Sequence, residues 1–123
     1  MSRFILSWPL KGLWPNDRVH RMARARAVKT YRAEAWGAAL GAGWHLLPEK
    51  PALIRLTFCA KPKGPLPDDD NCTAAFKAAR DGIADALRVN DRDLTFRIEF
   101  GERCQHGAVI VEIDPQQDAE PLP

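Results

Sequence analysis

Hydrophobic residues recur along the chain with two different periods, and the periods divide it into strands and helices. Ile54, Leu56 and Phe58 alternate with Arg55 and Thr57, which predicts a half-buried strand over about 52–60. Leu94, Phe96, Ile98 and Phe100 alternate with Thr95, Arg97 and Glu99, and Val109, Val111 and Ile113 alternate likewise. With the loop 101–107 between them, these read as two antiparallel strands of one hairpin. A short first strand is expected over 4–6, ended by Pro9. The helical period occurs twice. Ala27, Tyr31, Ala35 and Ala38 share a face of a helix from Arg21 to about Leu40, which Gly41 and Gly43 close. Ala75, Ala79, Ile83 and Ala86/Leu87, with Phe76 beside them, form the second stripe. The run Asp68-Asp69-Asp70-Asn71 opens that helix, where acids cap and oppose the dipole, and Asn90 is its expected stop. The order β-α-β-α-β-β predicts a small α+β domain, a mixed sheet with two main helices packed on one side.

Turn chemistry separates these elements. Gly12 to Asp17 (GLWPND) reads as a turn, and Lys61 to Pro67 (KPKGPLP) cannot continue a strand, because prolines remove ladder donors. The domain is expected to span 1–113. The tail 114–123 holds three prolines and no hydrophobic pattern, and is expected to fray.

A length of 123 residues allows one core and one site. Hydrophobic residues at 46% and charged residues at 28% exclude an acidic disordered protein. No apolar run approaches the roughly 20 residues that span a bilayer. The N-terminal stretch lacks a basic lead and a small-residue cleavage site, so a cytoplasmic protein with no membrane partner is expected. Cys59, Cys72 and Cys104 contain no C-x-x-C pair, which points to free thiols. Cys104 and His106 would need further ligands from elsewhere to hold a metal.

Charge changes the picture more than composition does. The net charge is only +2, yet Arg3, Lys11, Arg18, Arg21, Arg24, Arg26, Lys29 and Arg32 all lie in the first 32 positions, opposed by Asp17 alone. The acids cluster instead at Asp68, Asp69 and Asp70, and at Asp91 and Asp93. A basic block beside an acidic one suits a polyanion held by the first and acted on at the second. A solvated basic helix face fits the same pattern.

Asp68, Asp70 and Asp91 are the candidate metal ligands and catalytic acids. Carboxylates are hard donors that suit Mg²⁺, whose remaining positions take water and phosphate oxygens. Phosphodiester hydrolysis needs the activated water and charge neutralisation that such an ion supplies. Lys77, two turns after Asp70, is placed to meet a phosphate or the developing charge. Each piece also has an ordinary explanation: a capped helix, an Asn-Asp turn, and an i, i+4 pair of Lys77 with Asp81. Asp70 to Arg88 is 18 residues, about 27 Å of helix. Asp91 therefore falls at the far end from Asp68 and Asp70. Two such helices antiparallel across a two-fold axis would bring Asp68 and Asp70 of one copy to Asp91 of the other. Gly82 with Ala74, Ala78, Ala79 and Ala86 would permit the close approach.

The segments Asp68-x-Asp70-Asn71, Phe76-Lys77-Ala78-Ala79-Arg80-Asp81-Gly82-Ile83 and Val89-Asn90-Asp91 together resemble the RusA-type Holliday junction resolvases, a family common in prophages. Pro15-Asn16-Asp17-Arg18 and the basic stretch after it are similar too, so the resemblance covers about Phe4 to Ile113. It implies a Mg²⁺-dependent homodimeric endonuclease that makes paired nicks in four-way DNA. Asp68, Asp70 and Asp91 match the metal-binding acids, and Lys77 is the best match for the catalytic lysine. The chain departs from the pattern twice. The family lysine often stands three residues after the motif asparagine, where this chain has Ala74, and the acidic pair is reduced to Asn90-Asp91. The departures keep two alternatives open, a protein that binds branched DNA without cutting and a nuclease for flaps or forks. Arg18, Arg21, Arg24, Arg26, Lys61 and Lys63 are the expected phosphate contacts. Trp14 and Phe76 are each read as either a wedge into the junction or a core residue.

Overall fold

The structure, a computed structural model, describes residues 3–113; the tail expected at 114–123 lies outside them. Four strands and two long helices follow the order β1 (Arg3–Ser7), α1 (Arg21–Gly41), β2 (Leu53–Cys59), α2 (Asp69–Leu87), β3 (Thr95–Phe100) and β4 (Ala108–Ile113). Short 3-10 turns lie at Trp44–Leu46 and Asp91–Asp93. The sheet is mixed, in the order β1-β4-β2-β3.

The strands expected as a hairpin are not neighbours. β3 pairs with β2 in parallel, Leu56 opposite Ile98, whereas β4 lies on the other side of β2, antiparallel to it, Leu56 opposite Val111. Burial explains the exchange. Val109 and Val111 are fully buried and belong in the interior of the sheet, while Phe96 and Ile98 are half-buried and suit an edge. Residues 101–107 are long enough to step over β2, since that crossing spans two inter-strand spacings, about 10 Å.

One face of the sheet carries Phe4, Leu6, Ile54, Leu56, Phe58, Val109 and Val111, all buried, and the two helices pack on it. Phe76 of α2 sits at the centre, with ring contacts to Tyr31, Phe58 and Phe96. α1 buries Ala27, Tyr31, Ala35 and Ala39; the last replaces the expected Ala38, as the 3.6-residue period allows. The end of β1 is fastened to α1 twice. The Glu34 carboxylate accepts from the Ser7 N–H (2.8 Å) and hydroxyl (2.7 Å), and the Tyr31 hydroxyl donates to the Ser7 carbonyl at 2.7 Å. Burial pushes the Tyr31 phenol far above its ordinary pKa, so it remains a donor. Tyr31→Phe deletes that donor; urea unfolding is expected to show a loss of about 1 kcal/mol.

Asp68 is the cap of α2, its Oδ1 accepting from the Asn71 N–H at 2.8 Å. The helix stops at Arg88 rather than at Asn90. Arg88 takes the left-handed conformation (φ 59°, ψ 44°) that closes helices. Asn90 instead caps the next 3-10 turn, accepting from the Arg92 N–H at 3.2 Å.

The expected role of the small residues is corrected. Ala78, Ala79, Gly82 and Ala86 are buried within the chain. A β-carbon at Gly82 would collide with the Arg32 carbonyl oxygen and lie 3.1 Å from the Trp36 nitrogen. The backbone that Gly82 admits is therefore that of α1, and these residues are not available to a second copy of α2.

Candidate functional site

α1 and α2 run in the same sense. Arg24 and Val28 line one side of a groove of about 270 Å³, with Ala74, Lys77, Ala78 and Asp81 on the other and Gly12 and Leu13 at its edge. Farther along, Arg32 meets Asp85 at 2.8 Å. The helix N-termini consequently share one end of the domain, which is also where β2 finishes and the loop 60–67 begins. Chain topology thus brings the basic start of α1 to the acidic start of α2.

Asp68, Asp69 and Asp70 are all exposed at that end. Asp68 spends one oxygen on its cap and keeps the other free for a ligand. The Asp70 carboxylate has no hydrogen-bond or ion-pair partner among the described residues. Just before them, Lys61 and Lys63 are exposed, and the loop is pinned where Arg103 Nη1 donates to the Lys61 carbonyl at 2.8 Å. Lys77 is 68% exposed, with Nζ 3.7 Å from Asp81 Oδ2. It stands two turns along from Asp70, about 10 Å of axial rise. The acids also mark their surroundings electrostatically. The Cys72 thiol beneath them is pushed up to about 12, first by burial and then by the charges of Asp69 and Asp68. All three cysteines are free thiols.

The basic residues divide into two kinds. Arg18, Arg21 and Arg26 are exposed. Arg24 is instead a brace, with Nη1 donating to the Gly12 carbonyl at 2.6 Å and Nη2 to the Asp17 carbonyl at 3.0 Å. Asp17 completes the turn by accepting from the Gly12 N–H at 2.6 Å. No periodicity distinguishes Arg24 from its neighbours; only the tight 12–17 turn beside it does.

Asp91 lies beyond the other end of α2. The 19 residues of α2 rise roughly 28 Å, and Asp91 follows their far end, away from Asp68. Arg80 holds the Asp91 backbone there, Nη2 donating to its carbonyl at 3.2 Å while the guanidinium sits 5.3 Å from the centre of the Phe96 ring. Sequence reasoning did not single out this Arg80 contact. Among the described residues no three His, Cys, Asp or Glu side chains converge to hold a metal. Of the three candidate acids, one chain therefore places Asp68 and Asp70 at one end of α2 and Asp91 after the other. Asp68 and Asp70 are hard oxygen donors of the kind that could hold magnesium, and Asp91 of the same chain does not join them.

Of the two aromatic candidates, Phe76 is a core residue, 2% exposed. Trp14 is half-buried, stacked on Trp8 with ring centres 5.4 Å apart and donating from Nε1 to the Pro9 carbonyl at 3.0 Å. Among the described residues no helix is long and apolar enough to cross a membrane.

No protein-family model matches the chain. An uncharacterized protein of Xylella fastidiosa strain Temecula1 is 41% identical over 116 residues, covering 92% of this chain and 76% of that one.

Proposed function

This chain belongs to the family of that Xylella fastidiosa protein, and for it we propose the function of a magnesium-dependent endonuclease of the RusA type, nicking four-way DNA junctions as a homodimer. The observation that carries the reading is the shared end of α1 and α2. There, exposed arginines and loop lysines that suit phosphates stand beside Asp70 and the uncommitted oxygen of Asp68, which suit a cation.

The solvent face of α2 supports the dimer. Asp70, Ala74, Lys77, Asp81 and Arg88 follow one another along it at steps of three, four and seven residues, with Asp85 turned to Arg32 of α1. Two copies laid antiparallel, centred between Lys77 and Asp81, would oppose Asp70 with Arg88 and Lys77 with Asp81. The same register would set Asp91 of one copy beside Asp68 of the other. An isologous contact repeats each pair, giving two composite sites.

In this reading the free oxygen of Asp68 and the carboxylate of Asp70 hold the ion with Asp91 of the second copy. Bound magnesium neutralises the phosphoryl oxygens and activates the attacking water. Arg18, Arg21, Arg26, Lys61 and Lys63 hold the strand by its phosphates, and Arg24 acts through the turn that it braces. Without DNA the Lys77 ammonium stands 3.7 Å from Asp81. In this reading it turns to the scissile phosphate when DNA arrives, past the small Ala74 that leaves the way open.

A second reading, a protein that holds branched DNA without cutting, is favoured by Ala74 in the lysine position. A synthetic four-way junction, set against linear duplex and flapped DNA, decides between them. Nicks in the junction that need Mg²⁺ and stop with a chelator are expected. Tight junction binding without nicks would establish the second reading, flap cutting alone would redirect the substrate, and a junction neither bound nor cut would end both readings.

A further inference from the structure

We propose that the exposed face of α1 from Arg21 to Trp36 is a track for an unpaired nucleic-acid strand, with phosphates on Arg21, Arg26 and Lys29 and one base stacked on Trp36. The inference shares Arg21 and Arg26 with the phosphate grip of the proposed function and extends it to Lys29 and Trp36, which that reading does not use.

α1 carries charges that its own stability opposes. Its first turn holds no acidic residue, although the dipole favours acids there and disfavours arginines. Arg26 and Lys29, then Lys29 and Arg32, are like charges three residues apart on the same surface. Among the described residues Arg32 alone of these is relieved, its Nε and Nη2 both 2.8 Å from Asp85 Oδ2. No carboxylate among the described residues pairs with Arg21, Arg26 or Lys29. Such a row is complementary to a polyanion that the protein itself does not contain.

Trp36 specifies the kind of polyanion. Trp36 is a large apolar residue left 47% exposed. Lys29, Arg32, Ala33 and Trp36, with Asp85 of α2, line a shallow hollow of about 290 Å³. The Arg32–Asp85 pair makes a polar wall beside the ring. A base entering the hollow would find an aromatic face to stack on and both a donor and an acceptor for its edge. A duplex keeps its base faces covered, so only an unpaired strand can use this arrangement. Lys29 lies about 10 Å along the axis from Trp36 and Arg21 about 22 Å, a length of a few nucleotides.

Fluorescence anisotropy with a labelled 15-residue oligothymidylate tests the proposal on the whole chain. Trp36→Ala is expected to weaken binding roughly tenfold and Trp36→Phe much less, because a smaller ring still stacks. Lys29→Ala is expected to lower the salt slope by about 0.7, one phosphate contact on a single strand. Circular dichroism verifies that each variant is folded, and vesicles rich in phosphatidylglycerol and polyglutamate serve as rival anions. Unchanged oligothymidylate binding in folded Trp36→Ala overturns the proposal. So does a wild-type protein that ignores the oligonucleotide and binds either rival. An unbranched strand contains no junction, so failure to nick junctions with this binding intact would remove the cutting function alone.

Discussion

Gly82→Val destabilises the domain by about 4 kcal/mol, and Gly82→Ala destabilises it by about 2 kcal/mol. Two effects compete at this position. Alanine is the better helix former by about 1 kcal/mol, so propensity alone makes the alanine variant more stable. Packing opposes it. The added carbon meets the Arg32 carbonyl oxygen and the Trp36 nitrogen, both backbone atoms that no rotamer change can move. Relief requires α1 to back away from α2, which opens the packing of Ala35 and Ala79, both fully buried. Valine adds branching that helices tolerate poorly, so its loss is larger. Thermal melting should fall by roughly 15–20 °C for valine. An alanine variant that melts above the wild type would show that helix propensity outweighs the crossing and that the two helices are less closely held than their geometry implies.

That glycine shows where sequence reasoning ends. The period of α2 reveals which residues face inward and that Gly82 admits a close neighbour. It does not reveal the neighbour, because small residues look the same whether they meet α1 or another chain. The strands follow the same rule. Alternation identifies β2, β3 and β4 and the face that each buries, since a period of two is local. Partner choice is not local. β3 and β4 read as a hairpin because they are adjacent in sequence, yet the fully buried Val109 and Val111 belong between β1 and β2. The candidate site divides likewise. Acids at a helix start, and the length of helix between them and Asp91, follow from counting residues. That the start of α1 lies at the same end follows only from the parallel crossing of the helices. Arg24 looks like its basic neighbours until the Gly12 and Asp17 carbonyls are seen to occupy it.

On the proposed function, Asp70→Asn is expected to abolish junction nicking, by more than about a hundredfold, with junction binding kept or strengthened. Loss of an outer partner of a metal site already costs 10- to 100-fold, and a direct ligand costs more. The change is clean because the Asp70 carboxylate has no structural partner among the described residues. Asp68 is the less clean choice for deletion: alanine there removes the cap of α2 as well, at about 1 kcal/mol, whereas asparagine keeps the cap. Binding is kept because one negative charge facing the phosphates has gone. Asp91→Asn is expected to be equally inactive for a reason located in the other chain. The two inactive variants, mixed and allowed to exchange subunits, should therefore recover activity. In the mixed dimer one composite site carries both lesions and the other carries neither. The intact site cuts one strand, so the product is a single nick rather than a pair. A site confined to one chain allows no such recovery, because every copy keeps one lesion. Mixtures as inactive as their components would remove the composite site, and normal nicking by Asp70→Asn alone would remove Asp70 from the chemistry.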